Sequence, residues 1–326
     1  MMRGLRLLTK TDGIAAAFAL LLSGPIVAHA GTQADSALHI LQAKDARLND
    51  VAWKLVRGNA QSCERTRLAS GLLLQDMAGY GDADAARAAL GVTGDFAVQA
   101  AAKDSPAARA GLRANQTVLS IDGTGLADLV AGRTQAWERL RTAKAALDSA
   151  LADDGVALLA TSADGPVLAL LGEEACTVDF EIRTGHSSAV ADWAVVYIGD
   201  DFPGLSYVED EFAAAVAHEM AHVILRHPAW LTERGRKRKD VRMTEREADR
   251  LMPWLLANAG YDPEAALRFM RRWGPAHGGG LFRKRTHDGW DERVEFIEAE
   301  LPLVRAALAR DGHADWRARF PAKDVD

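Results

Sequence analysis

The chain has 326 residues, 48% of them hydrophobic and 26% charged, which is typical of a globular protein with one large or two modest domains. Its net charge of −6 argues against a general nucleic-acid-binding protein, and we expect no nucleic-acid partner. Beyond the N-terminus, no segment is long and apolar enough to cross a bilayer.

Residues 1–30 have the pattern of a secretory signal peptide. Basic residues precede a short apolar run, which ends at the small-x-small site Ala28-His29-Ala30. We therefore predict cleavage after Ala30 and export, in a bacterium to the periplasm. A retained membrane anchor is the alternative.

Cys63 and Cys176 are the two cysteines of the chain. In an oxidising compartment, an even pair of cysteines predicts a disulfide. A crosslink over so long a loop would stabilise the fold by about 4–5 kcal/mol in the chain-entropy model. Two buried free thiols are the alternative.

The first predicted elements surround a β-rich middle segment. Residues 36–57 place apolar side chains at helical spacing and predict an amphipathic helix that begins at Ser36. A second helix is predicted near 136–152. The apolar runs 156–162 and 166–173 flank an Ala-Asp-Gly turn and predict a β-hairpin.

A short motif within this segment carries a family resemblance. "SPAARAGL" (105–112) predicts a helix that starts at Ser-Pro and ends at Gly111, and "TVLSIDG" (117–123) predicts a strand and a turn. The motif resembles a PDZ domain, and the resemblance covers residues 82–174. It implies an extended peptide ligand that binds by strand addition. An insert without a ligand is the alternative.

The chemistry-bearing stretch is "HEMAH", within a long helix predicted over 208–227 after strands at 177–184 and 189–199. The helix is apolar nearly all round and should be buried, so its polar residues are costly unless something satisfies them. His218 and His222 share one face and can bind one zinc ion, while Glu219 can act as general base on a zinc-activated water. A core helix that merely carries three polar residues is the alternative.

A third ligand is expected from a helix–turn–helix segment over 243–270. Glu245 and Asp249 are four residues apart and share a helix face. Glu245 can ligate zinc, and Asp249 can accept a hydrogen bond from the far nitrogen of a ligand histidine. Taken alone, the pair is better interpreted as part of an exposed charged helix face.

Together, "HEMAH" and "EREAD" (245–249) resemble the gluzincin metallopeptidase family. This family includes the CAAX prenyl endopeptidase, the mitochondrial inner-membrane stress peptidase and periplasmic peptidases of outer-membrane assembly. The resemblance implies an α+β fold, in which a mainly helical metallopeptidase domain with a small sheet is interrupted by the PDZ-like domain. The metallopeptidase parts would be residues 31–81 and 175–326.

The resemblance also implies the site. One Zn2+ per chain would be held by His218, His222 and Glu245. Asp249 would accept a hydrogen bond from one of the two ligand histidines. In "RKRTHDGWDERVEF" the family pattern puts His287 near the zinc as an oxyanion stabiliser and makes Arg293 orient a carboxylate. Asp288 stands where the family commonly has proline. The other histidines that we considered, His186, His227 and His277, are interpreted as structural.

The expected function is a zinc-dependent endopeptidase of the cell envelope that cuts misfolded or membrane-associated proteins. Its peptide substrates would lie along the strand near 189–197. The alternatives are a PDZ-containing chaperone-like or binding protein with a latent or structural zinc site, and a structural envelope protein without metal. Within the enzyme class, a zinc amidase is a further alternative. The basic segment 233–240 is expected to be a solvated loop, with peripheral membrane or partner contact as the alternative.

Overall fold

The computed structural model describes residues 27–277 and 288–325, with side chains described from residue 37 onward. Its helices, in chain order, are α1 (Val27–Gly58), α2 (Ala83–Leu90), α3 (Pro106–Arg109), α4 (Leu126–Leu129), α5 (Ala136–Asp154), α6 (Glu209–Ile224), α7 (His227–Glu233), α8 (Arg238–Asn258), α9 (Ala265–His277) and α10 (Trp290–Asp311). Its strands are β1 (Thr66–Ala69), β2 (Leu72–Asp76), β3 (Phe96–Ala101), β4 (Ser120–Ile121), β5 (Thr124–Gly125), β6 (Val156–Ala160), β7 (Val167–Leu171), β8 (Glu173–Cys176), β9 (Asp179–Arg183), β10 (Ala189–Ala191) and β11 (Val195–Gly199). This mixture of long helices and small sheets confirms the α+β class.

The strands of the described ranges form four small sheets. The sheet nearest α6 has the order β10-β11-β9, with β10 antiparallel and β9 parallel to the central strand β11. A four-stranded antiparallel sheet has the order β5-β4-β6-β7, and the remaining strands pair as β1 with β8 and β2 with β3. The predicted hairpin is confirmed, because Ala160 of β6 lies opposite Val167 of β7.

The first hydrophobic core surrounds α6. Phe212, Val216 and Met220 of this helix are fully buried against α1, α8, α9 and the sheet containing β11. Several alanines let the neighbouring elements approach α6 closely. The helix is therefore central and buried, as its all-round apolar sequence predicts.

A second core lies under the sheet of β4, β6 and β7. Phe96, Leu147, Leu159 and Leu170 are among its members, and all of its buried residues lie between residues 74 and 170. Apart from Ala102, the first core takes its buried residues from before 64 and after 174. The PDZ resemblance and the domain boundaries remain predictions.

Cys63 and Cys176 form a disulfide, with their Cα atoms 5.6 Å apart. Beside it, β1 and β8 pair antiparallel, with Thr66 opposite Cys176. The chain therefore enters and leaves the second core at one crosslinked place.

The first helix is longer than predicted. It already includes Val27, the first residue that the structure describes, so Ser36 lies inside it and does not start it. Residues 27–35 are rich in alanine and contain no proline, so nothing in them stops the helix from extending. Cleavage after Ala30 stays a prediction. Neither α1 nor any other helix of the described ranges combines the length and the apolar character of a bilayer span.

The single strand predicted over 189–199 is a hairpin of β10 and β11. The Asp192 N–H donates to the Val195 carbonyl at 2.8 Å, and the Asp192 carboxylate accepts the Trp193 N–H at 2.9 Å. Aspartate stabilises tight turns through such bonds, which compete with a continuing strand. The turn makes β10 an outer strand of its sheet.

The helix predicted over 208–227 ends early, at Ile224. Arg226 takes a left-handed conformation with φ +58°, and His227 begins α7 with Pro228 in its first turn. Proline has no N–H to continue α6, but it fits the first turn of a new helix. The chain therefore turns back directly after the histidine pair.

Two further predicted bounds are wrong. The strand predicted over 117–123 shortens to β4, two residues long, before the Asp122-Gly123 turn. Helix α8 begins at Arg238 and not at 243, so the basic segment 233–240 is only partly a loop and ends at the buried Asp240.

Candidate metal centre

Three predicted ligands converge where α6 packs against α8. The Nε2 atoms of His218 and His222 are 3.3 Å apart. Glu245 places one carboxylate oxygen 3.4 Å from His218 Nε2 and the other 3.6 Å from His222 Nε2. Both histidines are buried, and the three side chains together could hold a metal ion.

Asp249 and Arg293 lie directly behind His218. His218 Nδ1 is 3.1 Å from Asp249 Oδ1, so the Nε2 atom of this ring faces the other ligands. Arg293 donates two hydrogen bonds to the Asp249 carboxylate, at 2.6 and 2.7 Å. Burial alone would raise the pKa of Asp249, but Arg293 and His218 outweigh it and lower the pKa. The buried carboxylate therefore stays ionised and fixes the His218 ring.

A second set of contacts lies behind His222. His222 Nδ1 is 3.0 Å from Nδ1 of His227, which is fully buried, and His227 Nε2 is 3.1 Å from Glu247. Lys323 donates to the other Glu247 oxygen at 2.6 Å. Burial lowers the pKa of His227, which favours a neutral ring. A neutral His227 can accept a hydrogen bond at Nδ1 from His222 and donate a hydrogen bond from its Nε2–H to Glu247.

The two central histidines differ electrostatically. Burial would lower the pKa of His218, but Asp249 and Glu245 outweigh it and raise the pKa to about 10. Burial lowers the pKa of His222 to about 3. The carboxylates beside His218 therefore attract a positive charge, which a proton or a metal cation can supply, and burial keeps His222 neutral, as metal binding requires.

Glu219 faces the edge strand. The backbone N–H of Ala191 on β10 lies near its carboxylate and acts to lower its pKa. Burial, and to a smaller degree the nearby Glu245 carboxylate, raise its pKa above the ordinary value, although His218 and the Ala191 N–H act in the opposite direction. A carboxylate with a raised pKa is a stronger base, which suits proton transfer.

The centre opens into a cleft of about 1060 Å3. The edge-strand segment 187–191 forms one wall of the cleft. Glu219 and the three predicted ligand side chains also line it, together with aromatic residues that include Trp273 and Trp290. His277 also lines the cleft, with its ring stacked on Trp273 at 3.4 Å between centroids. A cleft of this size can hold an extended peptide segment.

The remaining predicted site residue, His287, lies outside the described residues. Its neighbour Asp288 is half-buried, with its side chain 6% exposed, and pairs with Arg246 of α8, with one of the two bonds at 2.9 Å. Asp288 thus forms an ion pair with α8 at the position where the gluzincin family, which the sequence resembles, commonly has proline.

Sequence reasoning missed His227, Glu247 and Lys323. The signal for His227 was the following Pro228, which requires a break between α6 and the next helix and so allows the histidine to turn back. The only sequence signal for Glu247 was its position two residues after Glu245, and no sequence signal identified Lys323. Comparison of the chain with protein-family models and with curated proteins gave no match.

Proposed function

We propose that this protein is a zinc-dependent endopeptidase with a gluzincin-type centre, acting in the cell envelope on misfolded or membrane-associated proteins. The proposal depends on one observation: His218, His222 and Glu245 converge on a point beside Glu219 at the base of an open cleft.

The donor set and its spacing fit zinc. With ligand bonds of 2.0–2.1 Å, a tetrahedral site separates neighbouring ligand atoms by about 3.3 Å. The observed separations are 3.3, 3.4 and 3.6 Å. Two imidazoles and one carboxylate, with the cleft adjoining them, form the ligand type of catalytic zinc sites.

Proton transfer is assigned to Glu219. Zinc, when bound, would supply the Lewis acidity that activates a water and polarises the scissile carbonyl. Glu219 takes the proton of the attacking water and passes it to the leaving amine nitrogen. Asp249 and Arg293 hold His218, and His227 and Glu247 hold His222, so the ligands need little rearrangement. His287 remains the candidate for stabilising the oxyanion.

The substrate is proposed to add as a strand beside β10. This strand is hydrogen-bonded to β11 on one side, and its other side borders the cleft. An extended peptide can pair with such an edge through its backbone, which permits cleavage of many sequences. The PDZ-like segment 82–174, with its own peptide ligand, and export to the periplasm complete the proposal.

A Glu219→Gln variant tests the proposed activity. We expect the variant to keep its zinc by elemental analysis but to hydrolyse casein about 100-fold more slowly or worse, because the general base is lost. The matched control is Glu211→Gln on the same helix, whose carboxylate pairs with Arg272 outside the cleft. The parent should lose casein hydrolysis on zinc chelation. Hydrolysis by Glu219→Gln at the parent's rate would refute the assignment of the base.

A further inference from the structure

An exposed surface next to the cleft combines apolar side chains with cations. Trp193, in the turn between β10 and β11, is 62% exposed, and Val190 on β10 is 47% exposed. Residues 236–239 (Arg-Lys-Arg-Lys), at the start of α8, are also exposed. We call Val190, Trp193 and residues 236–239 the hairpin–loop surface.

The two parts of this surface are in contact. Val190, Trp193 and Arg236 line one small cavity of about 220 Å3. Arg234, just outside the surface, is paired with Asp240 at 3.2 Å. Within the described ranges, in contrast, none of the four cations at 236–239 forms an ion pair. The adjoining acids are Asp192, whose carboxylate accepts the Trp193 N–H, and Glu233.

We infer that the hairpin–loop surface docks the protein onto a membrane that contains anionic lipid. An exposed indole suits the boundary between headgroups and acyl chains, and clustered Lys and Arg are attracted to anionic headgroups. The cations stand out in a chain whose net charge is −6, so a local field and not the overall charge would bring the protein to the lipid.

Docking would place the cleft at the bilayer. Val190, Pro228 and Arg236 line both the small cavity and the large cleft, so the two openings adjoin. Chains that lie at the membrane surface would then reach β10 directly. This consequence for substrates rests on the proposed peptidase activity, whereas docking itself does not.

Vesicle sedimentation of the full chain tests the charge requirement. We expect binding to vesicles of mixed phosphatidylglycerol and phosphatidylcholine above the level on phosphatidylcholine alone, with a decrease as salt is raised. Lys237→Glu/Lys239→Glu should weaken this binding by about 30-fold or more, since each lysine near an anionic surface contributes about fivefold. Glutamates at these positions suit the N-terminus of α8, so folding should be retained. The control is Arg113→Glu/Arg133→Glu, which makes the same change in charge on the part of the chain that contains the second core. This variant should bind the vesicles as the parent does.

Two tryptophan variants test whether vesicle binding requires an apolar side chain. Trp193→Ala should weaken vesicle binding by about tenfold, because the indole no longer enters the interface. Trp137→Ala is the matched control, since Trp137 is 57% exposed and lies beneath Arg141 on α5. The N-terminal apolar run is common to all variants, so differences among them do not arise from it.

Three results would overturn the inference. The first is no preference of the parent for anionic vesicles. The second is an equal loss of binding in the hairpin–loop variants and their controls. The third is binding of a poly-glutamate peptide in place of vesicles, which would make the partner an acidic polypeptide. Zinc content and casein hydrolysis are measured separately, so failure of docking leaves the proposed activity standing.

Discussion

The contact between His222 and His227 yields the sharpest prediction about the metal centre. If His222 binds zinc through Nε2, its Nδ1 carries the ring proton. Because the ring is buried, this N–H needs a hydrogen-bond acceptor. Nδ1 of His227, which is fully buried and 3.0 Å away, is the atom placed to accept this hydrogen bond. His227→Phe keeps an aromatic ring in the core but removes that acceptor.

The expected loss follows from a single buried hydrogen bond. An unpaired buried donor costs about 1–3 kcal/mol, and each 1.4 kcal/mol is a factor of ten in affinity. We therefore expect His227→Phe to bind zinc about 10–100-fold more weakly, in the range typical for partners of metal-bound histidines. His227→Asn, whose side-chain oxygen can accept the same proton, should recover part of the loss.

Zinc competition against a chromophoric chelator measures the affinity, and the visible spectrum of the cobalt(II) form reports the ligand geometry. The control is His313→Phe, because His313 is half-buried, contacts Ser62 at 3.0 Å and is not among the described residues that line the cleft. If His227→Phe binds zinc as tightly as the parent, or if His313→Phe loses as much affinity, the positioning role of His227 is refuted.

Further predictions address the third ligand, a buried acid and the disulfide. Glu245→Ala should lose most of its zinc by elemental analysis, and full occupancy would exclude Glu245 as a ligand. Burial raises the pKa of Asp45 from 3.8 to about 6, so its ionised form destabilises the fold above pH 6. Asp45→Asn should therefore raise the free energy of unfolding by about 2 kcal/mol at pH 7.5. The gain should shrink as pH falls from 6 towards 3.8, where the folded parent is already neutral; a gain independent of pH in urea unfolding would contradict this. Replacing Cys63 and Cys176 by serine should lower the free energy of unfolding by about 4 kcal/mol, and an unchanged urea midpoint would contradict that expectation.

The parts of the site that lie on one helix were predictable from local spacing. His218 and His222 are one helical turn apart, and Glu219 lies at the edge of their shared face, so an uninterrupted α6 suffices to place them together. Glu245 is on another helix. Its place beside them was expected only because the combined pattern resembles a known family, since spacing along the chain does not determine how two helices pack.

His227 could not be placed by helical periodicity. Five residues after His222, it would face well away from that side chain if α6 continued. The left-handed Arg226 breaks the helix and returns His227 to His222 Nδ1. Lys323 reaches Glu247 from the far end of the chain, and such long-range contacts depend on tertiary packing.

The hairpin of β10 and β11 illustrates a different limit of structure prediction from an apolar sequence pattern. Its sequence is apolar on both sides of Asp192, so the apolar pattern favours one continuous strand. The turn depends on two hydrogen bonds made by Asp192 itself. Without that turn, β10 would not fold back beside β11, so the edge at which the proposed substrate strand adds depends on the turn at Asp192.

The disulfide between Cys63 and Cys176 has a consequence for how the chain responds to a proteolytic cut. Nearly all of the second core lies between these two cysteines. A single backbone cut anywhere in that stretch would leave two fragments that still migrate as one species until a reductant is added. The half that carries His218, His222 and Glu245 would thus keep its covalent tether to α1 after nicking.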